Sequence, residues 1–560
     1  MTLSKMGWLT PGKRMLRAVA AFVLVAAAAA CNSPGVIEGP KLATNQALRV
    51  MLQDQPTTLD PGQSQYPYET AVLRAISEPL LKPLPDLSGV TPAAAASYEV
   101  SGDGLTYVFH LRPTAMYWDG MPVKAQDFVY AWQRLIDPRL GALNEGFFAD
   151  AVLNGERVAL MDPQHDAAAI DAALATLGLK AVDDQTFQVT LAHPDPAFIW
   201  LAAMPASGPI RKDVVTQSGP AWWSRPETLV TNGPFKVKEM AKGDHITVVP
   251  NPNYWGAKPT LKSIVFEIVN DGAVALAKYR NGELDEIAVQ LPQASEVSGD
   301  SSLIHELVKT PDLTVFWITF RVTAALVNNV KLRQAIAQAI DRDAFVRQVF
   351  SGEGAGISTF IPNGMHGHDS NLTGQRFDVA QARASLAASG VSAKQLSTLK
   401  FTYDQSNDFR KATAKFVHDQ LKTNLGADIV LQGLDSGTYN ARLDSGQFQL
   451  AGPMGWQADY PDPADWYDLF TTTSSLNTAF YQNQQYDNFV RVARTDISPP
   501  RRDQEYQQAQ AMLVNDAPVA FLAQSASWYL VRPYVRGVVT SPVDEWPGAL
   551  APGRLSIAPH

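Results

Sequence analysis

Hydrophobic positions recur along this chain with two periods, and each period predicts its own kind of element. Leu48, Val50 and Leu52 alternate with other residues and predict a strand. Val72, Leu73 and Ile76 share one face of a helix predicted over residues 70–78 and closed by Pro79. Alternation returns over residues 105–111, entered through the hairpin-type turn Ser101-Gly102-Asp103-Gly104. Phe128, Trp132 and Leu135 then fall on one helix face, a core stripe that ends at Asp137-Pro138. Leu332, Ala335, Ile336, Ala339 and Ile340 predict one amphipathic helix over residues 330–350. Asp378-Val379-Ala380-Gln381 reads as a capping box opening a helix that stops at Gly390. Residues 400–403, a helix to Leu425 with Gly426 behind it, and the strand Ile429-Val430-Leu431 make a β-α-β unit.

One stretch departs from plain patterning. After the β-like Phe448 and Leu450 comes Gly455-Trp456-Gln457-Ala458-Asp459-Tyr460-Pro461-Asp462-Pro463. A carboxylate beside an indole can hold an ammonium group through charge-assisted hydrogen bonds and the ring face. The same residues equally fit a buried Trp followed by an Asp that opens a turn.

Composition narrows the class. With 560 residues the chain has room for two to four lobes, and its 46% apolar and 18% charged content is that of a globular protein. A net charge of −9, without a basic stripe beyond the N-terminal segment, argues against nucleic acid as a partner. Lys5, Lys13, Arg14 and Arg17 precede an apolar run over residues 18–30 that is too short to span a bilayer. The run ends in Ala28-Ala29-Ala30-Cys31, and Cys31 is the single cysteine of the chain. That arrangement resembles a bacterial lipobox, so residues 1–31 are expected to be a signal peptide and Cys31 the lipidated mature N-terminus. Several acyl chains on one residue would give a stable membrane anchor outside the cytoplasm.

The sequence displays no familiar catalytic or cofactor motif. There is no Walker loop, no Gly-x-Ser-x-Gly elbow and no His-Glu-x-x-His helix. Gly352, Gly354 and Gly356 read as a loop, and His366 with His368 lacks a third metal ligand. Asp462, Asp465 and Asp468 do not have the spacing of a calcium loop and read as helix-start acids. No catalytic residue, metal or cofactor is expected.

Several motifs together resemble the oligopeptide-binding proteins of bacterial ABC importers. They are Asp103-Gly104-Leu105-Thr106-Tyr107 through Leu111-Arg112, Trp118-Asp119-Gly120-Met121-Pro122-Val123, and Asp127-Phe128-Val129-Tyr130 with Trp132-Gln133-Arg134. Further on come Thr231-Asn232-Gly233-Pro234-Phe235, Asn251-Pro252-Asn253-Tyr254-Trp255, Tyr279-Arg280-Asn281-Gly282-Glu283-Leu284-Asp285 and the 455–460 stretch. Lys124 stands where that family usually has a Thr or Ser helix cap.

The resemblance implies an α/β fold of two lobes that close about a hinge, the periplasmic-binding-protein-like architecture of type II, with an additional small α/β domain inserted in the first half. The first lobe is expected from residues 32–77, 200–305 and 526–560, the extra domain from 78–199, and the second lobe from 306–525. It also implies a monomeric lipoprotein, not an enzyme, that captures oligopeptides and delivers them to the transmembrane subunits of an ABC permease. Asp459 would take the ligand's α-amino group, Gly455 and Gln457 its backbone, and Trp456 with Tyr439 would wall side-chain pockets. Across the cleft Gln65 and Pro67 fall at ligand-contacting positions. Arg410 is a candidate for the ligand carboxylate, or else a solvated helix charge. The same scaffold could serve a dedicated signalling or murein peptide, or another solute. A reading from another class, an exported hydrolase, would need a nucleophile and base that the sequence does not display.

Overall fold

The computed structural model describes residues 41–560, so the expected signal peptide and Cys31 lie outside the described residues. A mixed sheet runs through the molecule. Its strands, in chain order, are β1 (Ala47–Leu52), β2 (Phe235–Ala241), β3 (His245–Pro250), β4 (Ser263–Ile268), β5 (Glu286–Ala288), β6 (Leu307–Phe320), β7 (Lys400–Asp404), β8 (Val430–Leu434), β9 (Leu450–Gln457) and β10 (Val519–Val531). The spatial order is β8-β7-β9-β6-β10-β5-β1-β4-β3-β2, with the two-residue strand Ala355–Gly356 added against β10. Two helices matter for the site, α1 (Pro67–Ile76) and α2 (Ala125–Ile136).

The two long strands β6 and β10 belong to both halves of this sheet. Each changes the core it serves along its length. In the second half, Ile318 and Phe320 of β6 with Ala520 and Leu522 of β10 enter one core, while Val315, Trp317, Val519 and Phe521 enter the core on the opposite face. In the first half, Tyr529 and Val531 of β10 join Leu48, Val50 and Leu52 of β1 on one face. Trp528 and Leu530 join Met51 and Ile287 on the other. Period-two alternation therefore drives four half-cores from two continuous strands. Between Pro311 and Val315 the β6–β10 register breaks, and Asp312 sits in that break.

A separate four-stranded sheet is built from Ala95–Val100, Thr106–Leu111, Leu179–Asp183 and Thr186–Thr190. The Phe128, Trp132 and Leu135 stripe of α2 packs onto it with no exposed surface, Trp132 meeting Phe187 edge-on at 5.4 Å. Asp60 ties this sheet's helix to the first half. Its carboxylate accepts from Arg134 at 2.7 and 3.1 Å and from the Trp222 indole N–H at 3.0 Å.

Several predicted elements take the expected form. Gly282 and Gly390 follow helices with φ of 74° and 70°, the left-handed conformation that glycine adopts without a Cβ clash. Asp378 caps the helix Val379–Ser389 by accepting from Gln381 N–H, and β7, the helix Asp408–Leu425 and β8 form a parallel unit. At Lys124 no side chain caps α2, yet the Asp127 carboxylate accepts from Lys124 N–H at 2.9 Å. Half of a capping box is thus kept.

Two predicted helices are corrected. The one expected over residues 330–350 is two, Val330–Gln338 and Arg342–Val349, because Asp341 turns out of the helix and its carboxylate caps the second by accepting from Ala344 N–H. The helix expected over residues 70–78 is α1, which begins at Pro67 and ends at Ile76. Proline's fixed φ and missing N–H suit the first helical position.

Candidate functional site

A cleft of about 600 Å³ lies where the two halves of the sheet face each other. From the first half it is lined by the loop and helix start around Gln65, Tyr66 and Pro67, by Arg74 of α1, and by the loop holding Asp544 and Glu545. From the second half come Gln457, Ala458 and Asp459, and Asp312 sits at the crossing.

Strand alternation sorts the 455–459 stretch. Gly455, Gln457 and Asp459 are exposed, while Trp456 turns the other way and packs against the core around Trp317 and Trp466. This corrects the expectation that Trp456 walls a ligand pocket. Its indole N–H donates to Asp465 Oδ2 at 3.0 Å, and the same oxygen accepts from Asp459 N–H at 3.1 Å. Asp465, read from sequence as a helix-start acid, stands in the first turn of the helix Ala464–Tyr467 and is also the buried brace under the Asp459 turn. Burial pushes the Asp459 carboxyl up, and burial together with the Asp459 charge pushes Asp465 well above the carboxylate range. Among the described residues, no lysine, arginine or histidine is among the main groups acting on either. The two neighbouring acids differ in that Asp462 pairs with Arg502 and Asp468 with Arg494 at 3.1 Å.

The backbone beside Asp459 is also open. Strand β9 pairs with β6 through Gln457, but with β7 only at Leu450 and Ala451. One edge of residues 454–457 therefore has no strand partner among the described residues, and an extended chain could add there.

Opposite, a single carboxylate shapes the loop that carries Gln65. Buried Glu69 accepts from the N–H and hydroxyl of Thr57 at 3.0 and 2.5 Å, from Thr58 N–H at 3.2 Å, and from the N–H groups of Gln65 and Tyr66 at 2.7 and 3.1 Å. Gln65 is exposed and lines the cleft. Pro67 also lines it, but as the first residue of α1 its carbonyl points along the helix and is a poor partner for a ligand backbone.

Two sequence candidates are elsewhere. Tyr439 has no exposed surface and packs with Leu443, Phe448 and Ala451, its hydroxyl facing Met454 Sδ at 3.6 Å. Arg410 lays its guanidinium over the Tyr439 ring at 4.8 Å and stands 3.7 Å from Asp404. Neither lines the cleft, so Tyr439 is a core residue and Arg410 a structural charge. His366 and His368 bond to Asp503 and to the Ile361 carbonyl, each at 2.7 Å. Among the described residues no group of three potential metal ligands occurs, and no helix is long and apolar enough to cross a membrane.

Sequence reasoning missed Asp312, Arg74, Asp544 and Glu545. Asp312 accepts from the hydroxyls of Thr314 and Ser525 at 3.0 and 3.2 Å, and burial raises its pKa. Arg74 Nε lies 2.9 and 2.7 Å from the Glu545 carboxylate oxygens. Nothing in their spacing marks them, since they meet only through the fold.

A two-lobed α/β architecture whose halves share two crossing strands, with an open cleft between, is that of a solute-binding protein. The chain belongs to the bacterial extracellular solute-binding proteins of family 5, whose middle region matches residues 89–478. It is 29% identical over 529 residues to the periplasmic murein peptide-binding protein MppA of Escherichia coli K12, covering 93% of this chain and 96% of that one. It is 29% identical over 532 residues to the probable deoxycholate-binding periplasmic protein YgiS of the same organism, covering 93% and 94%. The periplasmic oligopeptide-binding protein OppA of Salmonella typhimurium LT2 is 29% identical over 541 residues, covering 94% and 95%. Among solved structures, the unliganded open form of MppA superposes with a TM-score of 0.81 at 28% identity, covering 93% of this chain and 99% of that one.

Proposed function

We propose that this protein is the receptor of an ABC importer, capturing short peptides between its lobes and passing them to a membrane permease without chemical change. The carrying observation is Asp459, a carboxylate exposed in the cleft with no cation acting on it among the described residues. A peptide α-ammonium supplies the missing charge, and the unpaired edge at Gly455–Gln457 supplies hydrogen bonds to the peptide backbone. Backbone pairing is indifferent to side chains, which suits a receptor for many sequences. Closure of the lobes over β6 and β10 would desolvate the ammonium and strengthen its pairing. We assign residues 32–77, 200–305 and 526–560 to the first lobe, 78–199 to the extra domain and 306–525 to the second lobe. Lipidation of Cys31 would hold a monomer at the outer face of a membrane.

The likeness to YgiS raises a second reading, a steroid anion as ligand. The cleft's acids, Asp312, Asp459, Asp544 and Glu545 against the single Arg74, weigh against it. Native mass spectrometry of the protein purified from its own envelope separates the readings. A ladder of short-peptide masses supports the importer receptor, one peptide mass supports a dedicated ligand, and a non-peptide mass overturns the amine-anchor account.

A further inference from the structure

The first-half wall of the cleft carries charge that the Asp459 anchor does not use. Asp544 and Glu545 line the cleft on a loop packed over α1, where the Trp546 indole N–H reaches the Ala71 carbonyl at 3.4 Å. Arg74 is the cation of this wall, and it is engaged by Glu545 and by the Val543 carbonyl at 3.3 Å. Behind them lies Glu286 of β5, only 1% exposed, with neither carboxyl oxygen hydrogen-bonded among the described residues.

Its direction follows from register. Glu286 pairs with Val531 and Ala288 with Tyr529 across an antiparallel ladder, so all four side chains share one face of the sheet. Ala288 and Tyr529 line the cleft, and the Tyr529 hydroxyl donates to the Asp544 carbonyl at 3.3 Å. Glu286 thus points from beneath toward the Asp544 loop, one step below the cleft surface. Its pKa is pushed well up by burial, with Asp285 and Asp544 adding to it. Asp544 and Glu545 therefore face one guanidinium, and the two buried oxygens of Glu286 stand without a donor. A buried acceptor in that condition is costly unless something completes it.

We propose that Asp544, Glu545 and Glu286 form a subsite for a cationic side chain, lysine or arginine, of the peptide held by Asp459. The subsite rests on the peptide reading above and names the ligand class that reading leaves open. An ammonium entering past Asp544 meets carboxylate oxygens on the surface and the undonated Glu286 oxygens beneath, a pairing that a neutral side chain of equal length lacks.

The test uses the full purified chain and isothermal titration with Lys-Ala-Ala, Ala-Lys-Ala and Ala-Ala-Lys, each beside its norleucine isostere, and with tri-alanine. At least one lysine peptide should bind roughly tenfold or more tighter than its isostere, as one desolvated charge pair allows. Glu286→Gln and Asp544→Asn should each shrink that preference, read as the ratio of lysine-peptide to norleucine-peptide affinity. Melting curves check that both variants fold, and Glu286→Gln keeps the shape of the buried side chain. Equal binding of every lysine and norleucine pair, with tri-alanine still bound, overturns the subsite and leaves the importer reading standing. Binding of no peptide at all overturns both.

Discussion

Asp465 Oδ2 receives the indole N–H of Trp456 at 3.0 Å and the backbone N–H of Asp459 at 3.1 Å. One buried oxygen therefore fixes the residue behind the strand and the turn that carries the exposed acid. The anchor is held by a second carboxylate that gains no cation from the protein. Its charge is costly until a ligand arrives.

Replacing Asp459 by Ala removes the group that faces the incoming ammonium. Tri-alanine binding should weaken by roughly 3 kcal/mol, on the order of a hundredfold, because the ligand charge is then buried without a partner. Titration calorimetry measures the loss. The melting temperature should stay level or rise, since an unpaired acid has been removed.

Acidity should move stability and affinity in opposite directions. Asp459, Asp465 and Glu286 are raised in the fold, and Asp544 is pushed up to about 7. Each binds its proton more tightly folded than unfolded, so its contribution to stability is fully present below the unfolded carboxylate value and is lost as pH rises through the folded one. The ligand-free protein should therefore melt higher at pH 5 than at pH 8. An ammonium prefers the ionised acids, so peptide affinity should rise over the same interval, with proton release on binding. Calorimetry in buffers of different ionisation heat reads that release.

Glu69→Ala should free the loop of residues 57–66. Five hydrogen bonds to one buried carboxylate are lost, and a cost of about 2–4 kcal/mol is expected from charge-assisted bonds of this kind. Hydrogen exchange should quicken at Thr57, Thr58, Gln65 and Tyr66, with weaker peptide binding as a consequence.

Arg410→Ala should leave peptide affinity within about twofold, as for a change at a residue outside the site. Its guanidinium is occupied by the Tyr439 ring and Asp404. A large loss for peptides with a free carboxylate would return Arg410 to the ligand.

How far the sequence carries depends on whether a signal is local. The α2 stripe, the glycine caps and the β-α-β unit rest on spacing within one element, and they take the form that spacing predicts. Asp459 was visible because it stands in a compact motif. The motif gives residues and not strand parity, and three positions along a strand reverse the face, so Trp456 packs behind the strand that leads to Asp459. Apolar periodicity continues across Asp341 and so predicts one helix over 330–350, where the capping Asp341 side chain starts a second. Asp465 is legible as a helix-start acid, while its place under the Trp456 indole comes only from the fold. Arg74 and Glu545 lie far apart in sequence and meet only when α1 and the 541–550 loop are assembled.

The central claim is that a ligand's free amine is what Asp459 holds, and blocking that amine tests it most directly. Titration of the protein with tri-alanine and with N-acetyl-tri-alanine compares two ligands that differ only there. The account predicts that acetylation weakens binding by on the order of a hundredfold, and that the difference disappears in Asp459→Ala. Equal affinity for the two peptides in the unaltered protein would contradict it.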